Sequence, residues 1–152
     1  MYRKIQEWFT TQWLTVGQED VDENHQLALA TAVLLYEVMR SDHEYTASEE
    51  HTYRQQLEQH FSLSQVELDT LCELTVEKAE NAVDFQQFTK VLNEMCDPQQ
   101  KRAIMESLWA VAYADHQLSA DEEYTIRKIA DLLFVPHSQF IQSKLKVQEQ
   151  GH

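Results

Sequence analysis

Glycine and proline are almost absent from this sequence: each occurs only twice in 152 residues. Both residues mark turns and loops, and their scarcity is typical of long helices joined by short links. No segment alternates apolar and polar residues over six positions with enrichment in β-branched residues, so the sequence contains no clear β-strand. Hydrophobic residues make up 43% of the chain, enough to build a core. We therefore predict an all-α fold, a single helical bundle of seven or eight helices.

The formal net charge of −14 restricts the partners. Nucleic acids and anionic lipid head groups both require a basic surface, whereas an acidic one suits divalent cations or basic proteins. We expect no transmembrane segment, because no apolar run reaches about 18 residues. Arg3, Lys4 and Glu7 interrupt the N-terminus, which argues against a signal peptide. Cys72 and Cys96 belong to no recognisable motif and are interpreted as buried, reduced thiols of a cytoplasmic protein.

The most informative stretch is residues 108–133, in which an apolar helix ends, an acidic corner follows and an amphipathic helix begins. Ser119 and Glu122 have the spacing of a capping box, in which each side chain accepts a hydrogen bond from the other residue's backbone amide. Thr46 and Glu49 have the same spacing in an earlier corner. The sequence thus predicts two helix–acidic corner–helix units.

The two corners also correspond residue by residue. Asp42 and Asp115 are each followed by a histidine, and Glu49 and Glu122 each stand seven residues after their aspartate. An apolar helical pattern precedes both corners. We infer an internal repeat of about seventy residues. The predicted bundle is therefore built from two pseudo-repeated helix–acidic corner–helix halves.

The segment AYADHQLSADEEYTIRKIADLL resembles the second-half signature of the TerB-like family, which is associated with tellurite resistance. That signature is an apolar helix, then A-D-G-x-hydrophobic-x-x-x-E-E, then an amphipathic helix. Residues 42–50 resemble the corresponding first-half motif, and the resemblance covers roughly residues 27–147. Where the family commonly has glycine, this chain has His43 and His116. Each histidine is expected either to adopt a strained positive φ or to sit in a different turn.

The resemblance implies a divalent-metal site, because TerB-like proteins are thought to bind cations through these acidic residues. The implied ligands are Asp42, Glu49, Asp115 and Glu122. The remaining acids and histidines of the corners are weaker candidates: Glu50, Glu123, His43 and His116. Carboxylates suit Ca²⁺ or Mg²⁺, and histidines next to aspartates would also allow Mn²⁺ or Zn²⁺. The competing interpretation is that these acids only cap helices, where aspartate and first-turn glutamate are common.

Three parts follow from these patterns: an N-terminal amphipathic helix with an acidic link (1–23), a TerB-like helical domain (24–147) and a tail expected to fray (148–152). In the first part we expect Trp8 and Phe9 to be buried against the bundle. The alternatives are that residues 2–16 bind a partner or lie on a membrane surface. The acidic link behind them disfavours membrane contact.

No catalytic motif appears: the sequence lacks a P-loop, a G-x-S-x-G elbow and an H-E-x-x-H motif. The EF-hand motif D-x-[DN]-x-[DN]-G is missing as well, and no Glu-x-x-His pair of a ferritin-like site occurs within a helix core. We therefore predict no enzymatic activity. The resemblance implies a cytoplasmic accessory or sensor domain that binds divalent cations and protein partners in a stress or metal-resistance pathway of the tellurite type. The alternative is a purely structural protein-interaction module with no metal site, and an enzyme with an acidic metal centre ranks third.

Overall fold

The computed structural model describes residues 20–41, 45–81 and 85–150. These residues form seven α-helices and no strand, which confirms the all-α prediction. In chain order the helices are α1 (Asp20–Arg40), α2 (Ala47–Phe61), α3 (Gln65–Asn81), α4 (Gln86–Met95), α5 (Pro98–Ala112), α6 (Ala120–Leu132) and α7 (His137–Gln150). The predictions for Trp8, Phe9 and residues 2–16 lie outside the described residues. The internal repeat stays a prediction.

Helix α1 occupies the centre of the bundle. Every residue from Ala28 to Tyr36 is buried, as expected of a helix that is apolar on all sides. It packs against α2, α3, α4, α5 and α6. Because these five helices share one central partner, segments that are distant in sequence are brought to neighbouring positions around it.

Helix α7 is held to α5 through Trp109. This indole is fully buried, and its N–H donates a hydrogen bond of 3.1 Å to Ser143 Oγ on α7. The ring of Phe140, also on α7, contacts it edge to face at a centroid distance of 5.1 Å. The contact combines apolar burial with a satisfied polar group, which fixes the position of the last described helix.

Capping boxes define the starts of several helices. The predicted boxes at Thr46 and Ser119 both form, with each cap side chain accepting from the amide three residues later and the glutamate accepting from the cap amide. Two further boxes have the same pattern: Ser64 with Glu67, and Asp97 with Gln100. These local bonds satisfy amides that a helix start leaves unpaired.

The two cysteines are free and half-buried. Burial raises the pKa of both thiols, Cys72 and Cys96, and thereby favours the uncharged form. None of the described helices is long and apolar enough to cross a bilayer.

Candidate functional site

Two glutamates from the two acidic corners meet inside the protein. Glu49, in the first turn of α2, and Glu122, in the first turn of α6, are each only 2% exposed. Glu49 Oε1 accepts a hydrogen bond from the Thr46 amide at 2.8 Å, and Glu122 Oε1 accepts one from the Ser119 amide at 3.0 Å. The capping boxes therefore fix one oxygen of each carboxyl group.

The carboxyl group of Glu49 lies beside that of Glu122 and raises its pKa. Two ionised carboxylates can only accept, and Glu122 Oε2 is buried with no donor among the described residues. Because two neighbouring carboxylates repel each other when both are ionised, the arrangement favours the protonated form of Glu122.

Desolvation by burial raises the pKa of Glu122 from 4.5 to about 8. The hydrogen bond to Glu49 and the charge of Glu49 act in the same direction, whereas the bonds from Ser119 oppose the shift. At neutral pH the raised pKa therefore favours the protonated form of Glu122.

Of the other two predicted ligands, Asp115 does not join this pair. Asp115 lies half-buried in the turn between α5 and α6, and its Oδ1 accepts a hydrogen bond from the Gln117 amide at 3.1 Å. It thereby stabilises its own turn. Asp42 lies outside the described residues. Across the described ranges, no group of three or more His, Cys, Asp or Glu side chains is arranged to hold a metal ion.

The weaker candidates have separate positions. Glu50 is exposed, and Glu123 forms an ion pair of 2.5 Å with Lys144 of α7. His116 is exposed and has a φ of 65°, so it adopts the left-handed conformation considered for the family's glycine position. Its amide donates to the Tyr113 carbonyl at 2.8 Å, which closes the turn after α5. His43 lies outside the described residues.

Replacing His116 by glycine should stabilise the protein by about 0.5–1 kcal/mol, because glycine adopts positive φ without a Cβ clash. Urea denaturation would measure the change. His116→Ala is the matched control, since it removes the imidazole and keeps the Cβ. Equal stabilisation by alanine would show that the imidazole, and not the backbone conformation, is responsible.

In the sequence each glutamate stands seven residues after the aspartate of its own corner, whereas the structure brings the two glutamates together. A signal for this was present in the helix spacing. Glu49 precedes the buried residues Tyr53 and Leu57 at intervals of four, and Glu122 precedes Ile126 in the same way. Residues four apart share a helix face, so both glutamates lie on the buried faces of their helices.

Comparison with known proteins identifies one match. The family model described as "Tellurite resistance protein TerB" matches residues 28–145. The match extends from α1 into α7 and includes both glutamates of the pair. No curated protein and no solved structure shows significant similarity.

Proposed function

The chain belongs to the TerB family of tellurite-resistance proteins, and from this premise we propose that it is an accessory domain. In this proposal the domain binds a divalent cation between Glu49 and Glu122. It also presents the neighbouring helix starts to protein partners. One observation carries the proposal. Two carboxyl groups from different helices are buried against each other, each already oriented by a backbone amide.

The chemistry of the pair suits a hard cation. Carboxylate oxygens are the ligands that Mg²⁺, Ca²⁺ and Mn²⁺ prefer, whereas Zn²⁺ more often takes nitrogen and sulfur. Glu122 Oε2, buried without a donor in the described part of the chain, is available as a ligand atom. Glu49 and Glu122 would supply two ligands, and Asp42 or water would complete the set. A bound cation would take the place of the proton that the raised pKa of Glu122 favours.

Proton and cation compete for the same oxygens. Glu122, whose pKa is raised to about 8, must lose its proton before both carboxylates can act as ligands. The cation affinity should therefore rise with pH and level off above about 8. A fully exposed pair of carboxylates would complete this change at much lower pH.

Each glutamate of the pair has an exposed aromatic residue close to it in the sequence. Tyr45, 41% exposed, lies just before α2, and Tyr124, 67% exposed, lies two residues after Glu122. Exposed aromatic rings are frequent anchors in protein interfaces. A change in the charge of the buried pair would thus act beside side chains suited to contact a partner.

Thermal unfolding at pH 9 with Mg²⁺, Ca²⁺, Mn²⁺ or Zn²⁺ tests the cation site. At a concentration one hundred times the dissociation constant, the cation should stabilise the fold by about 2.7 kcal/mol beyond a control of equal ionic strength. Glu49→Gln combined with Glu122→Gln should abolish this gain.

Asp42→Asn with Asp115→Asn tests the remaining implied ligands, since asparagine retains much of the capping ability of aspartate. Amide resonances of Tyr45 and Tyr124 should shift on adding Mg²⁺.

The second candidate function is a purely structural interaction module. It is favoured by the capping bonds that both glutamates already make. Glu67→Gln is the matched control, because it makes the same chemical change in the Ser64 box. If calorimetry at pH 9 detects no binding at millimolar metal, or if the control loses the metal response as well, the structural module is the correct function.

A further inference from the structure

A cavity of about 150 Å³ lies between α1, α2 and α5 and opens to the surface. Most of its wall is apolar and is formed by Leu27, Phe61, Cys96, Ala103 and Ile104; the polar lining residues are Thr31, His60, Gln100 and Ser107. The lining includes neither glutamate of the carboxyl pair and no residue of the acidic corners. The cavity is therefore a separate feature of the bundle.

Thr31 has a hydroxyl group without a partner. The residue is only 4% exposed, and its Oγ1 makes no hydrogen bond within the described part of the chain. Threonine hydroxyls in helices commonly donate to the carbonyl four residues earlier. Thr70, Thr75 and Thr125 do so, at 2.9, 2.7 and 3.0 Å. Thr31 departs from this pattern, and leaving a buried hydroxyl unpaired is costly.

The other buried hydroxyl of the cavity wall is already satisfied. Ser107 Oγ donates to Gln56 Oε1 at 2.8 Å and lies 3.0 Å from His60 Nε2, from which it accepts when that nitrogen carries the proton. Both hydrogen-bonding roles of Ser107 are thereby filled. Of the two buried polar residues in the wall, Thr31 is therefore the one whose hydroxyl has no partner in the described part of the chain.

We propose that this cavity binds a small uncharged amphiphile, a six-membered ring with a single hydroxyl group, and that this hydroxyl pairs with Thr31. A cavity of about 150 Å³ lined by aliphatic and aromatic side chains accommodates benzene. The largely apolar wall disfavours a charged ligand, because burying an unpaired charge is costly. The site is additional to the proposed cation site and does not depend on it.

Phenol and benzene are the probes, titrated into the full-length protein at millimolar concentration and monitored by calorimetry and by methyl resonances of Leu27 and Ile104. Phenol should bind about tenfold more tightly than benzene, the difference expected for one buried hydrogen bond. Thr31→Val should remove this preference and leave benzene affinity within about twofold. Thr31→Ser, which keeps the hydroxyl, should retain the preference.

Two further variants locate the site. Ala103→Leu should fill the cavity and abolish binding of both probes. Thr75→Val changes a buried threonine whose hydroxyl is bonded to the Leu71 carbonyl, so it should leave both affinities unchanged. Absence of saturable binding, equal affinity for phenol and benzene, or binding that persists in Ala103→Leu would each overturn the proposal.

Discussion

Replacing Glu122 by glutamine should stabilise the protein at pH 9 by up to about 5 kcal/mol and change its stability near pH 4.5 by no more than about 0.5 kcal/mol. Glutamine reproduces the protonated acid. Its oxygen can accept from the Ser119 amide, and its NH₂ group can donate to Glu49. It therefore keeps both contacts of the pair at every pH.

The direction of this pH dependence follows from the number of protons that the folded and the unfolded states bind. The pKa of Glu122 is about 8 in the folded protein, against 4.5 for the ordinary value of the group. Between these values the folded state holds a proton that the unfolded state has lost, so the stability of the wild type falls as pH rises through this window. Below 4.5 both states are protonated, and above 8 this group causes no further loss. The variant has no proton to lose at this position.

Urea denaturation at several pH values between 4.5 and 9 would measure the effect. Glu67→Gln, the same substitution in the Ser64 capping box, serves as the control for changes in capping. A difference between wild type and Glu122→Gln that stays constant over this range would show that the pair does not hold its proton to pH 8. A difference that grows equally in the control would place its origin outside the pair.

Trp109→Ala should destabilise the protein by about 3–5 kcal/mol, because it leaves a cavity at the junction of α5 and α7. The total stability of a domain is about 5–15 kcal/mol, so much of the margin would be lost. Chemical denaturation followed by circular dichroism would measure the change. A loss below about 1 kcal/mol would mean that α7 contributes little to the stability of the core.

Two further variants test how much the hydrogen bond between Trp109 and Ser143 contributes to this contact. Ser143→Ala removes the acceptor of the indole N–H and should cost about 1–3 kcal/mol, because a buried donor is left unpaired. Leu145→Ala, at an exposed position of the same helix, should cost less than about 0.5 kcal/mol. If both alanine variants had the same effect, the helix propensity of α7 would explain the result and the hydrogen bond would not.

The position of α7 also affects the acidic corner. Lys144 of α7 forms the ion pair with Glu123, the residue next to Glu122, and its Nζ lies 5.6 Å from the centroid of the Trp109 ring. Trp109 thus helps to hold the helix whose Lys144 pairs with Glu123 in the first turn of α6. Trp109→Ala should consequently weaken the restraint on the start of α6 as well as the core.

Local rules were sufficient to predict the helices and their starts. The capping boxes at Thr46 and Ser119 depend on residues three apart, and the left-handed conformation of His116 depends on the turn in which it lies. The scarcity of glycine and proline excluded frequent turns. Such features involve neighbours in the chain, so the sequence by itself determined the all-α fold and the capping boxes at Thr46 and Ser119.

The tertiary structure alone decided which acids meet. Glu49 and Glu122 come together because α2 and α6 both pack against α1, a long-range arrangement that no spacing in the sequence specifies. The raised pKa of Glu122 depends on the same arrangement, since its carboxyl group is buried in the fold and its charged neighbour Glu49 comes from the other half of the chain. The unpaired hydroxyl of Thr31 has a similar origin: its neighbours in the cavity wall come from three different helices.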